Sequence, residues 1–329
     1  MAVVVFVTIL VAMATAVAGD PSEATLVNTK HGKRKCTQGW ECNTPSPYCC
    51  GYKISDFFTA DDFEKLFPQR NSPGAQAAYF YSYESFIQAS ALFQPQGFCT
   101  SGNKTMQMKE LAAFFAFVAA QTSCEHASAR GGLLSWGLCY CKEMSPNKNR
   151  CVDGEEADID CPCNPGAQYY GRGVFPIYTS TAYCRTGKAL NVDLLNHPEL
   201  IEQNATLAFM IAMWRWMTPV FGGRELIRGW HKIITVPSPH TVFVGDWKPT
   251  KKDILLGRFT GSLATTINAM YGADFCENLG NNPKMNNIAD YYNYYLDLTG
   301  VSSDQAGDLL SCMDQKPFNL PKDWRQLPE

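Results

Sequence analysis

Fourteen cysteines in 329 residues restrict what this chain can fold into more than any other feature of its sequence. An even, high number of cysteines behind an export signal indicates a framework of disulfides. Zinc binding is the competing interpretation. The motifs CYC at 139–141 and CPC at 161–163 leave one residue between their cysteines, whereas structural zinc sites usually leave about two to four. We therefore predict loops tied by disulfides, no metal site and no cofactor.

The first 18 residues, MAVVVFVTILVAMATAVA, carry no charge and end in small residues that suit a signal peptidase. We predict that residues 1–18 are a cleaved signal peptide and that the protein is secreted. The alternative is an uncleaved anchor that holds the protein in the Golgi lumen through residues 1–18, because a membrane span needs about 20 apolar residues. No later apolar run is long enough, so we expect no stable membrane span.

Composition divides the remaining chain into three parts. Residues 19–53 combine a polar leader with the stretch CTQGWECNTPSPYCC, which is too short for a core of its own. Residues 54–318 form the predicted domain, and residues 319–329 a C-terminal tail. The net charge is −3 and KHGKRK at 30–35 stands alone as a basic run, so we expect no nucleic-acid partner. We also expect a monomer.

Hydrophobic periodicity from Ile54 onwards is mostly helical and predicts a mainly α domain. The segment TMQMKELAAFFAFVAAQTS is apolar nearly all round, which indicates a central, buried helix. Ser55, Asn204 and Thr250 stand where polar N-cap residues are expected before helical segments. Strand patterns are scarce and short.

Seven stretches of the domain carry a specific resemblance: AAFFAFVAAQTS, WGLCY, YYGRG, LNVDLLNHPEL, MWRWMTP, PSPHTVFVGDWKP and LSCMDQKPF. In this order and near this spacing, from Phe67 to Phe318, the chain resembles the plant chitinases of glycoside hydrolase family 19. The resemblance implies the lysozyme-like fold of that family. Within the family, GLCYCKEMSP, GVFPIY, NATLAF and MNNI are most similar to chitinase-like proteins of plant cell walls. That subgroup is associated with cellulose organisation and is generally regarded as lacking chitinase activity.

The resemblance implies a pair of catalytic carboxyl groups. Inverting hydrolysis needs one protonated carboxyl as acid and one carboxylate as base, about 6.5–9.5 Å apart so that the attacking water has room. The family's QTSHE corresponds to QTSCE here, which puts the acid on Glu125. Counting back from the glycines at 131–132 puts Ser128 at that position instead. Counting from WGLC puts the base on Glu143 without a gap.

The residues expected around this pair depart from the family. After YYGRG, Pro176 stands at the position of a sugar-holding glutamine and Ala182 at that of a sugar-holding asparagine. Tyr178 stands at the position of the serine that places the attacking water. Proline and alanine offer no side-chain hydrogen bond, and tyrosine is bulkier than serine.

A charge network around the base is also replaced. In active members a glutamate and an arginine form a charge network with the base carboxylate. Here Phe275 stands at the position of that glutamate and Tyr291 at the position of that arginine. Losing both charges together removes a buried network without leaving one ion unpaired. We therefore expect Glu143 to lack an orienting partner and hydrolysis to be weak or absent, and we leave open whether this family 19 homologue is an enzyme.

Sugar contacts are expected from one amide and several aromatic rings. Asn268 matches the first asparagine of the family's NIVNGGIEC, a sugar-binding position. Aromatic faces stack on pyranose rings, and we expect Trp136, Tyr140 and Tyr178 to contact the ligand. The implied partner is a polysaccharide, either chitin oligomers or a β-1,4-glucan.

The resemblance also implies disulfides. The family's third disulfide would join Cys139 to the position of Ala75, so Cys139 needs another partner, Cys99 or Cys124. Two pairs match family disulfides: Cys151–Cys163 and Cys276–Cys312.

Two sequons suit a secreted glycoprotein. Asn103 opens NKT and Asn204 opens NAT, and both are candidate glycosylation sites.

Three functions follow as hypotheses. The first is a secreted, wall-located protein that binds a β-1,4-linked polysaccharide with little or no hydrolysis and acts in cell-wall organisation and cellulose assembly. The second is an active inverting endochitinase that uses Glu125 and Glu143. The third is a protein-interaction role with a vestigial groove, in which the cysteine-rich stretch at 36–50 is the contact surface.

Overall fold

A computed structural model of the chain describes residues 26–28, 34–36, 53–124, 132–146, 149–151, 161–227, 230–276 and 283–318. The predicted signal peptide, most of the N-terminal extension and the C-terminal tail lie outside these residues. So do Glu125 and its alternative Ser128.

Helices make up about half of the described domain, and strands take only a small part. They are α1 (Ala60–Leu66), α2 (Tyr83–Ser90), α3 (Lys104–Thr122), α4 (Ser180–Leu190), α5 (Leu200–Gln203), α6 (Ala205–Met217), α7 (Pro239–Val244), α8 (Lys251–Leu255), α9 (Leu263–Tyr271), α10 (Ala273–Cys276) and α11 (Pro283–Leu298). The strands form two antiparallel pairs, β1 (Leu26–Asn28) with β2 (Arg34–Cys36) and β3 (Val220–Ile227) with β4 (Trp230–Val236).

Helix α3 is the centre of the core, as its sequence predicts. It begins after Asn103, whose side chain accepts a 3.0 Å hydrogen bond from the Met106 N–H. Every residue from Leu111 to Ala119 has no exposed surface. Helix α11 packs along α3, and α2 packs on α6 beside it. A helix that is apolar all round is stable only when neighbours surround it in this way.

Two of the three expected helix caps are confirmed. Asn204 accepts from the Leu207 N–H at 3.1 Å, and Thr250 accepts from the Asp253 N–H at 3.2 Å. The prediction that Ser55 opens a helix is wrong, because Ser55 lies inside a 3₁₀ turn and α1 starts after Thr59. Thr59 forms a reciprocal capping box with Asp62, which satisfies more backbone N–H groups than a lone serine could.

The β3–β4 hairpin is an element that the sequence pattern did not predict. Its base is fixed by Val220 and Val236, which pair in register and are buried with Val242 and Phe318. The run WHKIITV is rich in β-branched residues and was the available signal.

Four disulfides tie the loops of the described domain. They are Cys124–Cys139, Cys151–Cys163, Cys161–Cys184 and Cys276–Cys312. The pairs Cys151–Cys163 and Cys276–Cys312 are the two that the resemblance implies, and Cys124 is one of the two partners considered for Cys139. Cys99 and Cys141 are thiols, and the former is buried.

A buried carboxylate joins three elements of the core. Glu110 of α3 has no exposed surface and accepts hydrogen bonds from the Cys99 N–H at 2.9 Å and the Trp216 Nε1–H at 3.0 Å. Its Oε1 atom also lies 2.6 Å from Nδ1 of His240 in α7. Burial alone would lower the pKa of His240, but the carboxylate of Glu110 raises it above its ordinary value.

Within the described residues, no helix combines the length and the apolar character that crossing a membrane requires.

Candidate functional site

A cleft of about 410 Å³ opens where the end of α3 meets the loops around Glu143 and Gly171. It brings together three of the predicted site residues, Glu143, Tyr140 and Tyr178. Both tyrosines are partly exposed, so their rings are available to a ligand.

The Gly171 peptide holds Glu143 in place. The Glu143 N–H donates to the Gly171 carbonyl at 2.7 Å, and the Gly171 N–H donates to Glu143 Oε2 at 3.1 Å. Backbone and side chain of the same residue are therefore tied to one peptide. About a third of the carboxylate side chain, 29%, stays exposed to the cleft.

Arg150 is the charged partner of this carboxylate. Its Nη2 atom lies 3.6 Å from Glu143 Oε1, and its guanidinium lies 4.4 Å from the centre of the Tyr178 ring. The prediction that Glu143 lacks an orienting partner is therefore wrong. The charge comes from a residue seven positions along the chain, next to Cys151, and not from the position where the family has its arginine.

Tyr178 fills the space beside the same peptide. A Cβ atom placed on Gly171 would lie 2.6 Å from Tyr178 Cε1, which is closer than non-bonded carbon atoms approach. A side chain at position 171 would therefore push the Tyr178 ring aside. The Gly171 peptide and Arg150 thus hold Glu143, and the Tyr178 ring lies against both of these groups, where a serine side chain would be smaller.

A charge network forms the wall behind the cleft. Glu202 accepts from Arg172 Nε at 2.9 Å and from the Tyr170 hydroxyl at 3.0 Å, and it also pairs with Lys142. Arg172 donates to the Tyr183 hydroxyl at 2.9 Å and lies over the Tyr170 ring. Burial alone would raise the pKa of Glu202, but the hydrogen bonds from Lys142, Arg172 and Tyr170 lower it. Because Tyr170 and Arg172 belong to this network, it holds the segment that carries Gly171 in position.

A narrower cavity of about 100 Å³ adjoins the cleft and shares Gln121, Pro176 and Tyr178 with it. Arg215 lines this cavity and is buried, and its Nη2 donates to the carbonyls of Ala269 and Met270 at 3.1 and 3.3 Å. Burial lowers the pKa of Arg215 to about 10. Arg215 is not among the predicted site residues, although an arginine between two tryptophans on an apolar helix is a visible signal.

Asn268 is not at the cleft surface. Its Nδ2 donates to Gln315 Oε1 and to the Lys316 carbonyl, both at 3.1 Å, and its Oδ1 accepts from the Phe318 N–H at 2.9 Å. The amide is fully buried and anchors the C-terminal segment of the domain. Tyr271, one helical turn later, lines the narrower cavity together with Met270 of the same helix.

Trp136 is also placed away from the cleft. Its side chain is 6% exposed and packs with Ala75, Cys124 and Cys139. The Cys124–Cys139 disulfide lies in this cluster, and Cys124 directly precedes Glu125 in the chain.

Both candidate glycosylation residues are exposed helix caps. Asn103 and Asn204 use the side-chain oxygen for the cap. The amide nitrogen, which is the atom that carries an N-linked glycan, is not part of either cap.

No group of three or more His, Cys, Asp or Glu residues in the described part of the chain could hold a metal ion.

Comparisons with known proteins agree with this architecture. The family described as chitinase class I, glycoside hydrolase family 19, matches residues 57–312. Chitinase-like protein 1 of Arabidopsis thaliana is 48% identical over 319 residues, which are 96% of this chain and 94% of that protein. The inactive chitinase-like protein 1 of Hevea brasiliensis is 32% identical over 302 residues, 87% of this chain and 88% of that protein.

Solved structures give the same fold. The family GH19 class IV chitinase from Zea mays superposes with a TM-score of 0.55 at 26% identity, over 79% of this chain and 100% of that chain. The expected lysozyme-like, mainly α fold is therefore confirmed.

Proposed function

Since this chain belongs to the class I chitinase family, glycoside hydrolase family 19, we propose that it binds a β-1,4-linked wall polysaccharide with little or no hydrolysis. The ligand is a chitooligosaccharide or a glucan, and the role is in cell-wall organisation and cellulose assembly. The disulfides suit a secreted, wall-located protein. Retention in the Golgi lumen through residues 1–18 is the alternative location.

The lining of the cleft supports sugar binding. Tyr140 and Tyr178 offer partly exposed rings for the apolar faces of pyranose units. Lys142, Glu143 and Arg150 supply hydrogen-bonding groups at the edge of the same cleft. Its volume of about 410 Å³ lies within the range of about 300–1,000 Å³ for ligand sites.

The observation that carries the low hydrolytic activity is the position of the Tyr178 ring against the Gly171 peptide that holds Glu143. A general base must hold a water within hydrogen-bond reach, and such a base contributes about 10²–10⁴-fold to the rate. Here one carboxylate oxygen accepts from Gly171, the other faces Arg150, and the Tyr178 ring lies against the same peptide. Arg150 gives Glu143 a charged partner, as the base has in active members, so weak hydrolysis follows from the Tyr178 ring, which stands where those members have the serine that places the attacking water.

An active inverting endochitinase is the second candidate. The partly exposed carboxylate of Glu143 favours it, since that group matches the base of the family. In this case Glu125 is the acid, and Arg150 and Tyr178 must move aside when sugar binds.

Calorimetric titration tests the binding half of the proposal. The wild-type protein and the Tyr178→Ala variant are titrated with chitohexaose and with cellohexaose. We expect one of the two sugars to bind and Tyr178→Ala to weaken that binding about tenfold, the effect of losing one stacked ring. Tyr79→Ala is the matched control, because Tyr79 is 83% exposed and does not line the cleft. No binding of either sugar, or equal loss in both variants, would overturn the proposal.

A further inference from the structure

Five large apolar side chains are exposed together where α8 and the turn after it meet a later stretch of the chain. They are Ile254, Leu255, Phe259, Leu309 and Met313, and their exposed fractions run from 40% to 86%. We call this group the α8 patch. None of the five lines either cavity described above. Single exposed apolar residues are normal, but a group of them marks a surface that another molecule covers.

Two backbone hydrogen bonds bring the two parts of the patch together. At one end, the Lys316 N–H donates to the Leu256 carbonyl at 3.1 Å. At the other end, the Ala264 N–H donates to the Leu309 carbonyl at 2.9 Å. The two stretches of chain between these contacts therefore run antiparallel and carry the side chains of the patch next to each other.

The backbone that carries the patch is held in place on both sides. Asp253 forms a capping box with Thr250 at the start of α8 and an ion pair with Arg258 at 2.8 Å. The Cys276–Cys312 disulfide anchors the other stretch. Side chains on a fixed backbone lose less conformational freedom on binding than those on a loose loop. The patch is therefore suited to docking.

Opposite charges stand at the two ends of the patch. Lys251 is exposed and lies four residues before Leu255, so both side chains share one face of α8. Asp308 is exposed and directly precedes Leu309. Because the two stretches run antiparallel, the lysine lies beyond the α8 end of the patch and the aspartate beyond the opposite end. The apolar centre therefore has a basic flank and an acidic flank.

From this arrangement we propose that the α8 patch is a self-association surface through which two copies of this chain form a weak dimer. A two-fold axis across the patch places the basic end of one protomer against the acidic end of its partner, and does so twice. A patch flanked by one sign of charge would repel its own copy, whereas this one is complementary to itself.

The size of the patch sets the strength of the dimer. Five apolar side chains are few beside the about 20–30 residues that each partner contributes to a stable interface. The dimer is therefore weak and depends on protein concentration, and it would replace the monomer that the sequence predicts. A dimer carries two clefts, so under the proposed function it joins two polysaccharide chains.

Sedimentation equilibrium of the full chain tests the apolar centre, at protein concentrations from roughly 1 to 500 µM. We expect a reversible equilibrium between monomer and dimer. Leu255→Ser should weaken the dimer about tenfold or more, because a change in a two-fold interface acts on both protomers. This leucine is 86% exposed, so the variant keeps its fold. Leu92→Ser is the matched control, since Leu92 is 54% exposed and lies outside the patch.

A charge exchange tests the orientation of the two copies. Lys251→Glu and Asp308→Lys each bring like charges together at both ends of the dimer, so each variant alone should associate more weakly than the wild type. An equimolar mixture of the two variants restores opposite charges at both ends. We therefore expect the mixture to contain more dimer than either variant alone at the same total concentration.

A monomer at every concentration would overturn the proposal. Equal weakening by Leu255→Ser and Leu92→Ser would also overturn it, and so would a mixture of the charge variants that associates no better than either one. If the full chain stays a monomer and removal of residues 319–329 makes it dimerise, the tail and not a second copy covers the patch. None of these measurements contains a sugar, so their failure leaves the proposed function untouched.

Discussion

Replacing Arg150 by alanine removes two contacts whose sizes follow from the structure. One is the ion pair with Glu143 at 3.6 Å, in which the two side chains are 32% and 29% exposed. Exposed pairs of this kind contribute about 0.2–1 kcal/mol. The other is the cation–π contact with Tyr178 at 4.4 Å, worth about 0.5–1 kcal/mol at a partly exposed site. We expect Arg150→Ala to lower the free energy of unfolding by about 1–2 kcal/mol.

A double-mutant cycle isolates the contact between Arg150 and Tyr178. Urea unfolding is measured for the wild type, Arg150→Ala, Tyr178→Leu and the double variant. Leucine keeps apolar bulk but removes the ring, so the coupling energy reports the cation–π contact alone and should be about 0.5–1 kcal/mol. The control cycle pairs Arg150→Ala with Tyr79→Leu, which should be additive because Arg150 lies over the Tyr178 ring and Tyr79 is 83% exposed.

Additive effects in the Arg150–Tyr178 cycle, with all variants folded, would refute the reasoning. Arg150 would then not rest on Tyr178, and the ring would not hold the partner of Glu143 in place.

Three further predictions concern stability. Gly171→Ala should lower the free energy of unfolding by about 1–3 kcal/mol, because the new Cβ would lie 2.6 Å from Tyr178. Gly166→Ala is the milder control, because a Cβ there would have its nearest neighbour at 3.5 Å. Equal losses for the two variants in urea unfolding would contradict this prediction. Glu110→Gln should cost about 3–5 kcal/mol, since it breaks a buried ion pair, and a loss under about 1 kcal/mol would argue against that pair. The pKa of His240 is raised in the folded state, so its contribution to folding stability is complete below its unfolded pKa and is lost as pH rises through its folded pKa. Thermal melting measured from acidic to alkaline pH should show this fall in stability. Glu110→Gln should make the pH dependence flatter.

The parts of the fold that sequence predicts are those fixed by local pattern. Helix α3 is apolar on every side, so its central place follows from composition alone. Asn204 and Thr250 mark helix starts because a side-chain oxygen there has a fixed local partner. Ser55 has the same chemistry, but the Thr59–Asp62 box satisfies the helix end better, and only three-dimensional structure decides between such neighbours.

The parts of the site that sequence misses depend on contacts between distant loops. Glu143 was placed without a gap because WGLC lies just before it. The sequence does not predict the role of Arg150, because its contact with Glu143 depends on how the chain folds beside the Cys151–Cys163 disulfide. No rule of residue spacing predicts such a contact. Asn268 and Tyr271 stand one turn apart on the same helix, and a motif match alone does not tell that Tyr271 lines the narrower cavity while Asn268 is buried.

Hydrolysis of chitohexaose by the purified full chain tests the central claim most directly. Products are followed by mass spectrometry and the anomeric form of new ends by NMR, with Glu143→Gln beside the wild type. Our account predicts that bound sugar stays intact and that the two proteins are indistinguishable. Cleavage that releases the inverted anomer and disappears in Glu143→Gln would contradict it and make the protein an enzyme.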